Sequence, residues 1–118
     1  MNFNTIQQPN MQSQTINTAE KFVDLYYAPR ARAKFYQDTT KVIWNGTGLT
    51  GSEFKQKMPN IHQEVHGMDC HQLGDLILVN TTGVVKDKRG KKQQFAQTFV
   101  LTKQGGLTYI VSDCFRFV

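Results

Sequence analysis

A chain of 118 residues with 39% hydrophobic residues is long enough for one compact domain and too short for two. Its 14 Lys and Arg against nine Asp and Glu give a net charge of +5. Residues 86–92 alone (Lys86, Asp87, Lys88, Arg89, Gly90, Lys91, Lys92) hold five cations and one acid, so the remainder is nearly neutral and uniform basicity is excluded. No apolar run approaches the ~20 residues of a membrane span, and the polar residues 1–14 lack the basic-then-apolar order of a signal peptide. An intracellular location with no membrane partner is expected. In that setting Cys70 and Cys114 read as free, buried thiols, and the sequons at Asn45 and Asn80 as unused.

Residues 1–16 are rich in Gln and Asn, with scattered apolar residues, and read as a flexible polar arm; a single domain follows over residues 17–118. Asn17 and Glu20 have the spacing of a capping box. Ala19, Phe22, Val23, Tyr26 and Tyr27 then recur at i, i+3, i+4, i+7 and i+8, one face of a helix that Pro29 ends. Residues 30–36 predict a short second helix, with Ala31, Ala33 and Phe35 as the inward candidates and Arg30, Arg32 and Lys34 in water. Val42, Ile43 and Trp44 form a β run closed by Asn45-Gly46, a hairpin signal. Thr50 and Glu53 open a third helix through a capping box, with Leu49 and Phe54 placed as a staple; Phe54 and Met58 share its buried face, and Pro59 stops it.

Residues 61–73, 76–85, 95–102 and 109–118 read as strands separated by short turn signals, which favours an antiparallel meander. The expected fold is α+β: about three helices packed on one face of a curved antiparallel sheet. Strand parity divides the side chains. Phe95, Gln97, Phe99 and Leu101 alternate with Ala96, Thr98 and Val100. Val111, Phe115 and Phe117 alternate with Ile110, Ser112, Cys114 and Arg116, and Val79, Thr81 and Val85 with Asn80, Thr82 and Val84. With helices over the Phe-bearing face, a broad plane of small, nearly uncharged side chains remains on the other. Such a plane suits a partner sheet better than solvent. Arg116, standing in it, would need a carboxylate on the partner.

Chemistry is sparsely signalled. His62 and His66 lie about 13 Å apart along a strand, and Cys70 and His71 point to opposite faces, so no metal site is read. Asp24, Tyr26, Tyr27, Asp69 and Asp113 are available for acid–base work in a pocket, yet no spacing joins an acid to a base. No cofactor motif is present. Lys88, Arg89, Lys91 and Lys92 form a hairpin tip, with weak, salt-sensitive RNA contact as the alternative to simple solvation.

The series Phe22-Val23-Asp24-Leu25-Tyr26-Tyr27, Val42-Ile43-Trp44-Asn45-Gly46, Phe95-Ala96-Gln97-Thr98-Phe99-Val100-Leu101-Thr102 and Ser112-Asp113-Cys114-Phe115-Arg116-Phe117 resembles the nuclear transport factor 2-related export proteins. The resemblance covers residues 19–118 and implies a nuclear transport factor 2-like cone. It also implies a non-enzymatic role as small subunit of the messenger RNA export receptor. The implied partner is the similarly folded domain of the large nuclear RNA export factor, and the heterodimer would dock on nucleoporin phenylalanine-glycine repeats at the nuclear pore and carry RNA indirectly. In this resemblance Arg116 falls on the Arg that pairs with an Asp of the large subunit, and Cys114 and Thr98 fall where the related import factor has dimer-contact methionines. That import factor, a homodimer binding GDP-bound Ran, carries Glu where Asn45 stands and an acidic turn where residues 86–92 stand. The sign of charge therefore argues against Ran. The chain departs from the family in its shorter second-helix region, its amino-terminal arm and its end at Val118. An import factor of this kind and a small isomerase or dehydratase on the same cone are the two alternatives.

Overall fold

The computed structural model describes residues 9–28 and 31–118. Among these residues two α-helices, α1 (Pro9–Tyr26) and α2 (Gly51–Gln56), and a 3-10 turn (Arg32–Phe35) lie against a six-stranded sheet. Its strands are β1 (Tyr36–Trp44), β2 (Thr47–Thr50), β3 (His62–Leu73), β4 (Leu76–Lys86), β5 (Lys92–Gln104) and β6 (Leu107–Phe117), in spatial order β2-β1-β6-β5-β4-β3. The expected meander is β3 to β6, antiparallel throughout. The first hairpin joins it at β6, with β1 running parallel to β6. The fold is α+β as expected, but the sheet is mixed, and the second of the three expected helices is only the 3-10 turn before Tyr36 enters β1.

Helix α1 buries the predicted stripe: Ala19, Phe22, Val23 and Tyr26 are all 5% exposed or less. Phe22 and Tyr26 meet Phe99 of β5 edge-on, with ring centroids 4.9 and 4.8 Å apart. The helix starts earlier than its sequence signal. Pro9 stands in its first turn, where proline is tolerated because its missing N–H has no helical partner to bond. Asn17 is thus interior and caps nothing. Of the expected arm, residues 9–16 are helical and residues 1–8 lie outside the described residues, as do Pro29 and Arg30. Thr15, expected in the arm, is buried and donates to Gln72 Oε1 of β3 at 2.8 Å.

Local signals elsewhere hold. The Asn45-Gly46 turn takes positive φ at both residues, 47° and 91°. The Thr50 side chain accepts from Glu53 N–H at 3.1 Å, while Glu53 accepts from Thr50 N–H at 3.0 Å, the reciprocal capping box that starts α2. Met58 lies beyond the last residue of α2.

The register shifts between Tyr36 and Lys41 where β1 meets β6, and two bulges interrupt the antiparallel pairs. Val100 faces Ser112 but Leu101 faces Ile110, which leaves Val111 unpaired in β6. In β3, Val65 faces Gly83 and Gly67 faces Thr82, which leaves His66 over. Beside that second bulge the strands come so close that a Cβ on Gly83 would sit 1.8 Å from the Glu64 carbonyl oxygen.

Candidate partner interface and the polar network behind it

The pairing registers lay the outward side chains out as rows across the sheet. One row runs Ile43, Cys114, Thr98, Asn80, Asp69; the next runs Lys41, Ser112, Val100, Leu78, His71; a third runs Arg116, Ala96, Thr82, Gly67. Arg116, Cys114, Asn80 and Thr82 are exposed, and Ser112, Thr98, Ala96 and Val100 are half-buried. Thr98 Oγ1 donates to Asn80 Oδ1 at 2.7 Å, so the two polar groups at the centre satisfy each other. Charges stand only at the margins of these rows, in Lys41, Asp69 and Arg116. Of the residues assigned to this face from parity, two differ: Val84 is buried, at 8% exposure, and Ile110 turns to the other side. The unpaired Val111 shifts the alternation by one residue, so Ile110 turns inward and is fully buried, while Val111 is exposed. Ile43, 48% exposed, belongs to the face and was missed, because the three-residue run around it gave no parity partner in sequence.

The opposite, helix-covered side of the sheet holds a buried polar network. Tyr36 donates its hydroxyl hydrogen to Asp113 Oδ2. Tyr26, 2.6 Å from Tyr36 Oη, must therefore be the donor of that pair. Gln97 Nε2 donates to Asp113 Oδ1 at 2.8 Å and to Tyr26 Oη at 3.3 Å. Gln97 Oε1 accepts from Tyr27 at 2.6 Å and from Gln63 at 3.3 Å, and Gln63 Oε1 in turn accepts from Arg32 at 3.0 Å. Hydrogen bonds passed from Arg32 to Gln63, from Gln63 to Gln97 and from Gln97 to Asp113 run toward the buried carboxylate. Burial raises the Asp113 pKa to about 6, against the opposing pull of those donors and of the Arg32 charge. Burial likewise pushes the Tyr26, Tyr27 and Tyr36 hydroxyls well above their ordinary value. Sequence reading supplied Tyr26, Tyr27 and Asp113 as candidates and put Gln97 by parity on the helix-covered face without a role; it singled out neither Gln63 nor Tyr36 and placed Arg32 in water. Arg32 is 9% exposed and lies over the Tyr26 ring, 4.9 Å from its centroid. Asp24 and Asp69 are exposed and take no part.

Cys70 and Cys114 are free, as expected, but neither is fully buried: Cys70 is half-buried against the core and Cys114 exposed. The β4–β5 turn consumes its acid internally, since Asp87 Oδ1 accepts from the Arg89 and Lys91 N–H groups at 2.8 and 2.9 Å. Lys86 pairs with Glu64 at 2.6 Å. Lys88, Arg89, Lys91 and Lys92 remain exposed. Among the described residues no helix is long and apolar enough to cross a membrane.

Residues 18–117 match the model of the nuclear transport factor 2 (NTF2) domain family. NTF2-related export protein 1 of Bos taurus is 32% identical over 88% of this chain and 89% of its own length. NTF2-related export protein 2 of Bos taurus is 35% identical over 88% of this chain and 87% of its own length. Among solved structures, nuclear transport factor 2 from Cryptosporidium parvum superposes with a TM-score of 0.75 at 21% identity, over 98% of this chain and all of that one. The matched core, the mixed sheet and these relatives give one conclusion: the chain belongs to the nuclear transport factor 2 domain family, as one of its NTF2-related export proteins.

Proposed function

We propose that this chain is the small, non-enzymatic subunit of a messenger RNA export receptor. Its outer sheet face pairs with the nuclear transport factor 2-like domain of a large nuclear RNA export factor. The observation that carries this reading is the face itself: Ala96, Thr98, Val100, Ser112, Cys114, Asn80 and Thr82 form a surface of small side chains, with Arg116 and the other charges, Lys41 and Asp69, at its margins. A carboxylate on the partner would meet Arg116, and burying that guanidinium unpaired would be costly. The complex would act in the nucleus and at its pores, with the heterodimer docking on nucleoporin phenylalanine-glycine repeats. Lys88, Arg89, Lys91 and Lys92 would add at most a weak, salt-sensitive contact with RNA.

A role without catalysis is supported by the state of the one carboxylate in the core. Both Asp113 oxygens are engaged, and Asp113 and Tyr26 are 0% exposed. A Ran-binding homodimer is disfavoured by the basic β4–β5 turn and by Asn45, whose Oδ1 accepts from Phe117 N–H within the sheet. The test is co-purification with the large export factor. Arg116→Asp should abolish it and leave the melting temperature of the isolated chain within a few degrees of wild type, because Arg116 is exposed and outside the core. Undiminished pairing of that variant would remove the assigned role.

A further inference from the structure

On the helix side of the sheet, away from the proposed partner face, a cavity of about 760 Å³ opens between the end of α1, the 3-10 turn, residues 58–63 and the end of β4. Its size falls in the range of small-molecule pockets. Met58, Ile61 and Val85 supply apolar wall, and Arg32, Gln63 and Tyr27 form polar wall. Asp113 and Tyr26 do not line it.

Arg32 makes this cavity unusual. A guanidinium has five N–H donors, yet the contacts of Arg32 are one hydrogen bond to the neutral Gln63 amide and the face of Tyr26. Among the described residues no carboxylate pairs with it; Asp113, the other buried ion, is reached only through Gln63 and Gln97. No fully buried side-chain nitrogen in the described residues lacks a hydrogen-bond partner. The unused Arg32 donors are therefore accessible, and the cavity that Arg32 lines is where they are reached. The other charges at the mouth are largely spent, Lys86 on Glu64 and Asp87 on its own turn, with Lys88 free at the rim. The result is an apolar cleft with a desolvated, under-used planar cation on its wall, the geometry that suits a carboxylate group attached to an apolar body.

We propose that this cavity binds a small organic carboxylate, the carboxylate held by Arg32 and its apolar body by Met58, Ile61 and Val85. The site is independent of the outer face and of the proposed export role. The test is a nuclear magnetic resonance titration of the full chain with 1-naphthylacetate and with its neutral isostere 1-naphthylacetamide. The acid should shift the signals of Arg32, Ile61 and Val85 saturably and bind about tenfold tighter than the amide, the ordinary effect of a charge-assisted hydrogen bond. Arg32→Gln should bring the two ligands within about twofold of each other. Because the acid-to-amide comparison is made on the wild-type chain, it decides the matter even where the variant fails to fold. Equal affinities, no saturable shift at the cavity residues, or shifts confined to the exposed hairpin around Lys88 and Arg89 would each overturn the proposal. Tighter binding of the N-acetylated tripeptide Ala-Ala-Phe than of naphthylacetate would assign the site to a polypeptide terminus and overturn it as well.

Discussion

Gln97 and Asp113, on neighbouring strands, are joined by a 2.8 Å hydrogen bond in which Gln97 is the donor and the fully buried carboxylate the acceptor. This bond and the one from Tyr36 favour the charged form of Asp113, but burial outweighs them and its pKa stands at about 6. In the unfolded chain the same group titrates near 3.9. The folded state therefore holds its proton to higher pH. The contribution of Asp113 to stability is greatest below about pH 4 and declines, by on the order of 3 kcal/mol, as the pH rises through 6. Asp113→Asn has no proton to lose. Urea unfolding of both proteins from about pH 4.5 to about pH 7.5 should show the wild type losing stability relative to the variant as pH rises. A pH-independent difference would refute the assignment.

The two thiols differ in a way that reports on the outer face. Burial, followed by the charges of Asp69 and Glu20, raises the pKa of Cys70, whereas Cys114 is exposed on the outward row with Thr98. A disulfide reagent such as Ellman's should modify Cys114 about tenfold faster than Cys70 in the isolated chain. Binding of the large export factor should protect Cys114. Reaction of Cys114 at an unchanged rate in the complex would place the partner elsewhere.

Gly83→Ala tests the close approach at the β3 bulge. The added Cβ would meet the Glu64 carbonyl oxygen, a backbone atom that cannot step aside as a side chain end can. The substitution should cost about 2–3 kcal/mol or more, read as a lowered urea midpoint. A variant as stable as wild type would mean that β3 and β4 do not pack this closely.

Trp44, the single tryptophan of the chain, stacks on Phe115 with ring centroids 4.0 Å apart and planes 8° apart. Phe115 is also stacked with Phe95, 5.6 Å away, and is 0% exposed. Phe115→Ala should therefore destabilise the fold by about 3–5 kcal/mol and red-shift the Trp44 emission in the native state. Emission that does not move would contradict the stack.

The parts of the fold set by near neighbours along the chain were legible: the α1 stripe, the Asn45-Gly46 turn, the Thr50 capping box and the alternation of β5. The parts set by distant pairing were not. That β1 lies parallel to β6 depends on contacts such as Ile43 with Cys114, some seventy positions apart, for which no local pattern exists. Arg32 looked solvated because helical spacing assigned it to the outer side; the 3-10 turn and the cover of Tyr26 and Gln63 reverse that. The alternation of β5 turned Gln97 inward but gave no hint of its partners, and Gln63 carried no signal of its own, since an amide is held in a core only once its partners surround it.

Strand β6 serves two masters, and the unpaired Val111 lets it do so. On its carboxyl side the residues 112, 114 and 116 look outward; on its other side, without the extra residue, the same parity would send Ile110 outward and leave the core short of a large aliphatic side chain. The bulge thus acts as a frame shift written into the backbone. Deleting one residue there would not merely shorten the strand. It would put one half of β6 out of phase, with either Ile110 expelled from the interior or Asp113 and Phe115 turned to the surface. Substitutions at position 111 are cheap by comparison, because what matters there is that a residue is present.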